Sequence, residues 1–420
     1  MVRIADVARI NGAVLSSHYI PITLSRVNKG SASFLARRIR EGVDKGVMKY
    51  QIRVATNAQC YPNYITPLAG VISHYKSLGV TFMSSDSLEQ HQYLSKVGLL
   101  DPFTDPGSVG EGGYADRIWM FTPETHYDIV SNVMKEVYTG LEVEKGVLHS
   151  VELCLNEITD NVLNHSLEDL DSGAPHGFLM AQIHSGTGRV AISVFDDGVG
   201  IYRSLKRAIP SIHDSQEAIT MAIRKGVTSG NGRGNGLWIL ERIVMANGGS
   251  LEITSDGARF ILIADKGGGR EASSFSRVSR DVPGTTLVDF QLDTRKPMNL
   301  ESVLDYSPTN LWLESHEDGL NEDDAVIRLF DESKGFGTRV AARQVRTMAS
   351  NLSREFGGRI VLDFDGVELI STSYADELVA KLLLDERVGE RLLLRNLGDV
   401  CRITIGEVLE GLPLPWRVIC

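Results

Sequence analysis

The sequence predicts an α/β and α+β multidomain protein: a central α/β sandwich, with helices on one face of a mixed sheet, and an α/β domain on either side. Three observations predict it. The 420 residues exceed the roughly 100 to 200 that one ordinary core requires. Apolar runs of strand length alternate with amphipathic helical stretches along the chain. Two segments rich in Pro, Gly or acidic residues interrupt the alternation and mark boundaries.

Within residues 1–115, a helical entry leads to a strand at 51–56 (QIRVAT), a helix at 67–79, a strand at 80–84 and a helix at 90–98. The stretch DPFTDPGSVGEGGYAD closes this α/β domain, in which YPNYITPLAGVISHYKSLGVTFMSS loosely resembles a STAS-like α/β unit. Residues 116–294 begin with the strand IWMF. A helix to about Val137 and a second from Lys145 to Ser166 follow, then strands at 178–185 and 189–197. A helical region, the cluster GNGRGNGL (230–237), a further helix and strands at 250–255, 259–264 and 284–292 complete the domain. Residues 295–325 form an acidic linker region that holds LESHEDGLNEDDA, which also reads as a solvated loop. The last domain, 326–420, alternates a helix at 338–352, a buried strand at 359–366, a helix at 375–386, a strand at 391–396 and a helix from Gly398 to Leu409.

Composition limits the classes of function. At 42% apolar and 23% charged, the chain is globular rather than disordered or fibrous. Its net charge of -11 opposes non-specific attraction to nucleic acid and anionic lipid. Cys60, Cys154, Cys401 and Cys420 lack the short pairings of metal sites or disulfide frameworks, so a reduced, cytoplasmic setting is expected. No run of roughly 18 apolar residues and no signal-peptide core is present, so no membrane partner is expected.

Three motifs carry chemistry. In VELCLNEITDNVLNHS, Glu157, Asn161 and His165 recur at helical spacing and share one face, with Val151, Leu155, Ile158 and Val162 on the core side. An exposed polar face would account for that stripe equally well. VFDDGVGI runs an apolar strand into Asp196, where a carboxylate can accept from an exocyclic amine while Gly198 and Gly200 let the backbone turn around a flat ring. An ordinary Asp-Gly turn is the alternative. Glycines 230, 232, 234 and 236 precede an amphipathic helix, and backbone amides at a helix N-terminus suit phosphate oxygens; a flexible loop is the alternative. The spacing matches neither a P-loop nor a Rossmann fingerprint.

In this order, NEITDNVLNHS, DDGVG and GRGNGL resemble the N box and the two glycine boxes of the GHKL superfamily, the Bergerat-fold proteins that include gyrase-like ATPases, histidine kinases and anti-sigma-factor serine kinases. GTT at 284–286 is similar to the family's closing motif. The resemblance implies ATP and Mg²⁺ as ligands. It implies Asn161 as the Mg²⁺ ligand, Glu157 as the catalytic residue that orients or deprotonates the attacking group, and Asp196 as the adenine reader. Gly198 and Gly200 would shape that pocket, Gly232, Gly234, Gly236 and Leu237 would hinge the lid, and Thr285 or Thr286 would lie near the adenine. His165 reads as a structural histidine. Arg203, Lys206, Arg207, Arg224 and Lys225 lie in the expected lid, and none is singled out.

No helical hairpin with a phosphoacceptor histidine precedes the motifs, which argues against an ordinary histidine kinase. RIVLDFDGVELISTSYADELVAKLLL is similar to the STAS domains of anti-sigma-factor antagonists, although Tyr374 stands where that family has glycine. Ser371, Thr372 and Ser373 would be phosphoacceptors there, or one of them a helix cap. The expected function is therefore a cytoplasmic signalling protein in which Mg-ATP binding or hydrolysis switches the protein interactions of the flanking domains. A serine/threonine kinase acting on a STAS-like domain in cis or in trans is one alternative, and a DNA-associated ATPase another. The partners this implies are a sigma factor, an anti-sigma factor, a STAS-domain protein or a second copy of the chain. A helix-turn-helix reading of IADVAR and TLSRVN is strained by the long gap between them.

Overall fold

The computed structural model describes residues 19–109, 113–166, 175–228, 234–265, 270–279, 285–306, 308 and 323–410. Strands β1 (Ile20–Leu24), β2 (Lys49–Val54) and β3 (Thr81–Ser84) pair in parallel in that order. Parallel neighbours need long crossovers, and helices α1 (Ser31–Val43) and α2 (Pro62–Ser77) supply them. β1 shows why TLSRVN is no recognition helix: Thr23 and Leu24 end the strand and a turn follows, while IADVAR lies outside the described residues.

A four-residue helix α3 (Asp86–Glu89) follows β3, but the helix expected at 90–98 is instead a series of turns. The ring of His91 is the physical reason. Its Nδ1 accepts from the backbone N–H of Tyr93 at 3.3 Å and of Leu94 at 3.2 Å, and such local side-chain bonds compete with the helical ladder. Gly98, at φ +79°, then reverses the chain.

Among the described residues, the central sheet has seven strands. In chain order come β4 (Ile118–Phe121), α4 (His126–Gly140), α5 (Val147–Ser166), β5 (Gly177–His184), β6 (Arg189–Asp196), α6 (Ile201–Ala208), α7 (Ser215–Ala222) and α8 (Gly236–Asn247). β7 (Ser250–Ser255), β8 (Ala258–Ala264), β9 (Arg270–Arg277) and β10 (Thr286–Asp293) follow, and the spatial order is β4-β5-β6-β10-β7-β8-β9. β9 has no apolar alternation to mark it. Its residues 272–277 are exposed on the sheet's edge, held by antiparallel pairing with β8 and by Phe275 against Phe260 at 5.1 Å.

Residue 115 falls between β3 and β4, yet the first two sheets share one core. Ile65, Leu68 and Ile72 of α2 cluster with Ile118, Phe178, Met180, Phe195 and Leu287 from four strands of the central sheet. At about 1.5 to 3 kcal/mol per fully buried large apolar side chain, that shared layer is a major part of what holds this unit together.

Past β10, α9 (Leu300–Leu304) precedes a third sheet, in which β11 (Asp324–Arg328), β12 (Arg359–Asp363) and β13 (Leu392–Arg395) are parallel with β12 central. Between them come α10 (Leu329–Glu332), α11 (Arg339–Glu355), α12 (Thr372–Ala375) and α13 (Lys381–Leu384), and α14 (Asp399–Leu409) ends the described chain. A π-helical turn, Asp376–Ala380, joins α12 to α13, so the helix expected at 375–386 starts at Thr372. Of the expected linker, 309–322 lie outside the described residues, and its last two residues, Asp324 and Ala325, open β11.

The chain divides into two compact units: 1–133, 154–182 and 190–292 in one, and 134–153, 183–189 and 293–420 in the other. Within the second, Asn351 of α11 ties down the end of α4. Its Nδ2 donates to the carbonyls of Tyr138 and Leu141, both at 2.7 Å, and its Oδ1 accepts from Val143 N–H at 2.7 Å. Among the described residues, no helix is long and apolar enough to cross a membrane.

Candidate functional site

Helix α5 carries the first motif because its apolar residues recur on one side. Val151, Leu155 and Ile158 are buried, while Glu157 and Asn161, one turn apart, are half-buried on the other side. What they face is the start of α8. A Cβ added at Gly236 would fall 2.8 Å from Glu157 Oε2 and 2.8 Å from Asn161 Nδ2, so a larger residue there would displace both side chains. The first and third motifs, separated by some eighty residues, therefore meet.

The turn into α8 is also built on glycine. Gly234 has φ +63°, and a Cβ there would sit 2.3 Å from the carbonyl of Val227. Asn235 Oδ1 accepts from Gly226 N–H at 3.0 Å, which ties the two ends of the glycine segment together. Leu237 follows, half-buried, in the first turn of α8. Gly232 lies outside the described residues, as does the side chain of His165. Two of the lid cations are engaged locally: Lys206 donates to the carbonyls of Pro210 and Ile212, and Lys225 lies 4.5 Å over the Trp238 ring.

Asp196 ends β6, where the pleat gives way to a glycine turn. Its Oδ1 accepts from Gly198 N–H at 2.9 Å. Burial raises its carboxyl to about 7; the neighbouring Asp197 and Asp256 add to the shift, and the backbone N–H groups of Gly198 and Thr286 oppose it. Gly200, at φ +81°, passes so close to Asp256 that a Cβ would lie 2.4 Å from Oδ2. Asp256 Oδ2 in turn accepts from Tyr202 N–H at 3.0 Å, and Ser255 Oγ accepts from Ile201 N–H at 2.9 Å, so the β7–β8 turn caps the start of α6. Ser255 Oγ also lies 3.2 Å from Thr286 Oγ1. Of the two threonines, Thr286 thus joins the Asp196 cluster through both backbone and side chain, whereas Thr285 stands one residue before the strand.

Sequence reasoning missed Ser255 and Asp256, since nothing local in the sequence signals that they cap α6. Asp160, next to Asn161, lies 3.7 Å from His126 Nε2. The carboxyl of Glu157 is raised above its ordinary value by burial and by Asp160.

Residues 146–292 match the family model described as "Histidine kinase-, DNA gyrase B-, and HSP90-like ATPase". Among solved structures, the chain is similar to one described as the topoisomerase IV ATP-binding domain of Francisella tularensis in complex with a small-molecule inhibitor. That likeness has 14% identity, covers 48% of this chain and 48% of that one, and has a TM-score of 0.24, too low to carry any argument. The chain thus spans about half the length of that structure's chain. No curated protein matches.

Residues 146–292 are accordingly a GHKL-type ATPase domain, a class that binds ATP, usually with Mg²⁺. The residues present fit both ligands. Glu157 Oε2 faces the start of α8, and the Asn161 amide beside it also carries an oxygen, a donor type that suits Mg²⁺. No group of three or more His, Cys, Asp or Glu side chains among the described residues could hold a metal by itself.

Proposed function

We propose that this chain is an ATP-dependent regulatory protein in which Mg-ATP binding or hydrolysis in the central domain switches the protein interactions of its flanking domains. The close approach of Gly236 to Glu157 and Asn161 carries this reading, because any group accommodated there must be accommodated by α8 and the glycine segment before it. Bound Mg²⁺ would neutralise phosphate charge. Asn161 would hold its oxygen toward the cation, Glu157 would orient or deprotonate the attacking water or hydroxyl, and Asp196 would accept from the adenine amine. A sigma factor, an anti-sigma factor or a STAS-domain protein, or a second copy of the chain, is the kind of partner the sequence resemblance supports, in a cytoplasmic setting.

One observation favours a serine/threonine kinase as the second reading. Ser371 caps α12, accepting from Tyr374 N–H at 3.1 Å, which occupies its hydroxyl, but Thr372 beside it is exposed. Incubation with γ-labelled ATP and Mg²⁺ separates the two. Label released as phosphate supports the ATPase switch, and label on protein that is lost in Thr372→Ala supports the kinase. ATP binding that is unchanged by both Asp196→Asn and Asn161→Ala would refute the site itself.

A further inference from the structure

Helix α2 touches the residues on both sides of Asp196. In its middle, Gly70 packs against Phe195 so closely that a Cβ would fall 2.2 Å from the ring. One turn later, on the same face, His74 Nδ1 lies 3.4 Å from Asp197 Oδ2. The other oxygen of Asp197 is met from the central domain, by His176 Nε2 at 3.5 Å. The His176 ring is fixed in turn, edge-on to Phe178 at 5.7 Å, and Phe178 contacts Phe195 at 6.2 Å. The start of α2 is anchored as well, since Asn63 Nδ2 donates to Glu252 Oε2 of β7 at 3.3 Å.

Asp197 is therefore a carboxylate with one imidazole on each oxygen. Burial pushes its carboxyl up, but His74 and His176 outweigh that and hold it below the ordinary aspartate value. Its neighbour Asp196 has the opposite environment and the opposite shift. Two adjacent acidic residues at a strand end would repel each other; the two imidazoles draw Asp197 away and leave Asp196 turned toward Gly198 and Thr286.

We infer that His74 and His176 are positioning residues of the nucleotide site: by gripping the two oxygens of Asp197, they fix the turn that aims Asp196 at the adenine amine. Helix α2 of the first sheet is then part of the adenine pocket's support. The inference rests on the reading of Asp196 as adenine reader, and the geometry supplies two checks on it. An asparagine amide can reproduce the Nδ1 position of histidine, and a glutamine amide the Nε2 position. His74→Asn should therefore preserve its contact and His74→Gln should break it, with the assignments reversed at His176.

The test measures ADP and inosine diphosphate binding to the full chain by calorimetry, with thermal unfolding as the control for folding. Inosine diphosphate carries a carbonyl in place of the amine, so it reports everything except the Asp196 contact. His74→Ala, His74→Gln and His176→Ala should each weaken ADP binding by about tenfold, the loss expected when the support of a site residue is removed. Inosine diphosphate binding should stay within about twofold, and His74→Asn and His176→Gln should restore ADP binding. Equal losses for both nucleotides would mean a merely structural role and overturn the inference, as would wild-type ADP affinity in His74→Gln. If Asp196→Asn abolishes the preference for ADP while the histidine variants keep it, the site reading stands and this inference alone falls. A wild-type chain that binds neither nucleotide overturns both.

Discussion

Replacing Gly236 by alanine inserts one methyl group where α8 meets α5. The new Cβ would stand 2.8 Å from Glu157 Oε2 and from Asn161 Nδ2, whereas ordinary contact begins at 3.4 Å, so both side chains must withdraw by about 0.6 Å. Both atoms are the ends of flexible side chains, so the fold absorbs the change. The site has no such latitude: a displacement approaching 1 Å at a catalytic group costs up to about 100-fold. Gly236→Ala should therefore melt within a few degrees of wild type and keep its affinity for metal-free ADP, which in the proposed function rests on Asp196. Its affinity for Mg-ATP, and any hydrolysis, should fall by about tenfold or more. Calorimetric titration with ADP in chelator and with a non-hydrolysable ATP analogue in Mg²⁺ separates these effects. Equal binding of the analogue by variant and wild type would refute the placement of Glu157 and Asn161 at the phosphates.

Three further outcomes are expected. With the Asp196 carboxyl raised to about 7, ionising it for adenine costs more the lower the pH, so the ADP preference over inosine diphosphate should grow by up to about tenfold per pH unit between pH 5 and 7 and level off above. A preference independent of pH, or falling as pH rises, would contradict this, and Asp196→Asn should give a flat profile. In the third sheet's unit, Glu377 is 1% exposed and faces Arg339, Arg343, Arg346 and Lys381. Burial pushes its carboxyl up, but the cations, Lys381 and Arg343 foremost, bring it below the ordinary value. Its contribution is thus complete above the unfolded glutamate range and is lost as pH falls through the folded value. Glu377→Gln should cost about 3 kcal/mol at neutral pH in denaturant titrations and less at pH 3. Asn351→Ala removes two donations to carbonyls and one acceptance from an N–H in a buried position, so a loss of about 2 to 4 kcal/mol is expected, while Asn351→Asp should lose the two amide donations and keep the Val143 contact. A change below 1 kcal/mol in Asn351→Ala would show that solvent reaches those groups.

The sequence by itself determined the elements whose signal is local. The stripe of Val151, Leu155 and Ile158 marked α5, apolar runs marked β5 to β8 and β12, and the motifs around Glu157, Asp196 and Gly236 marked the nucleotide domain. Only the tertiary structure decided what those elements meet. His91 unravels an apparently helical segment through bonds to two backbone amides, and β9 exists because β8 offers it a partner, neither of which leaves a periodic trace. The contact of Thr286 with Ser255 depends on the register of β10 beside β7. The grip of His74 on Asp197 joins residues more than a hundred positions apart. Periodicity records which face of a helix is apolar; it carries no information about which distant side chain comes to rest beside that face once a shared core has formed.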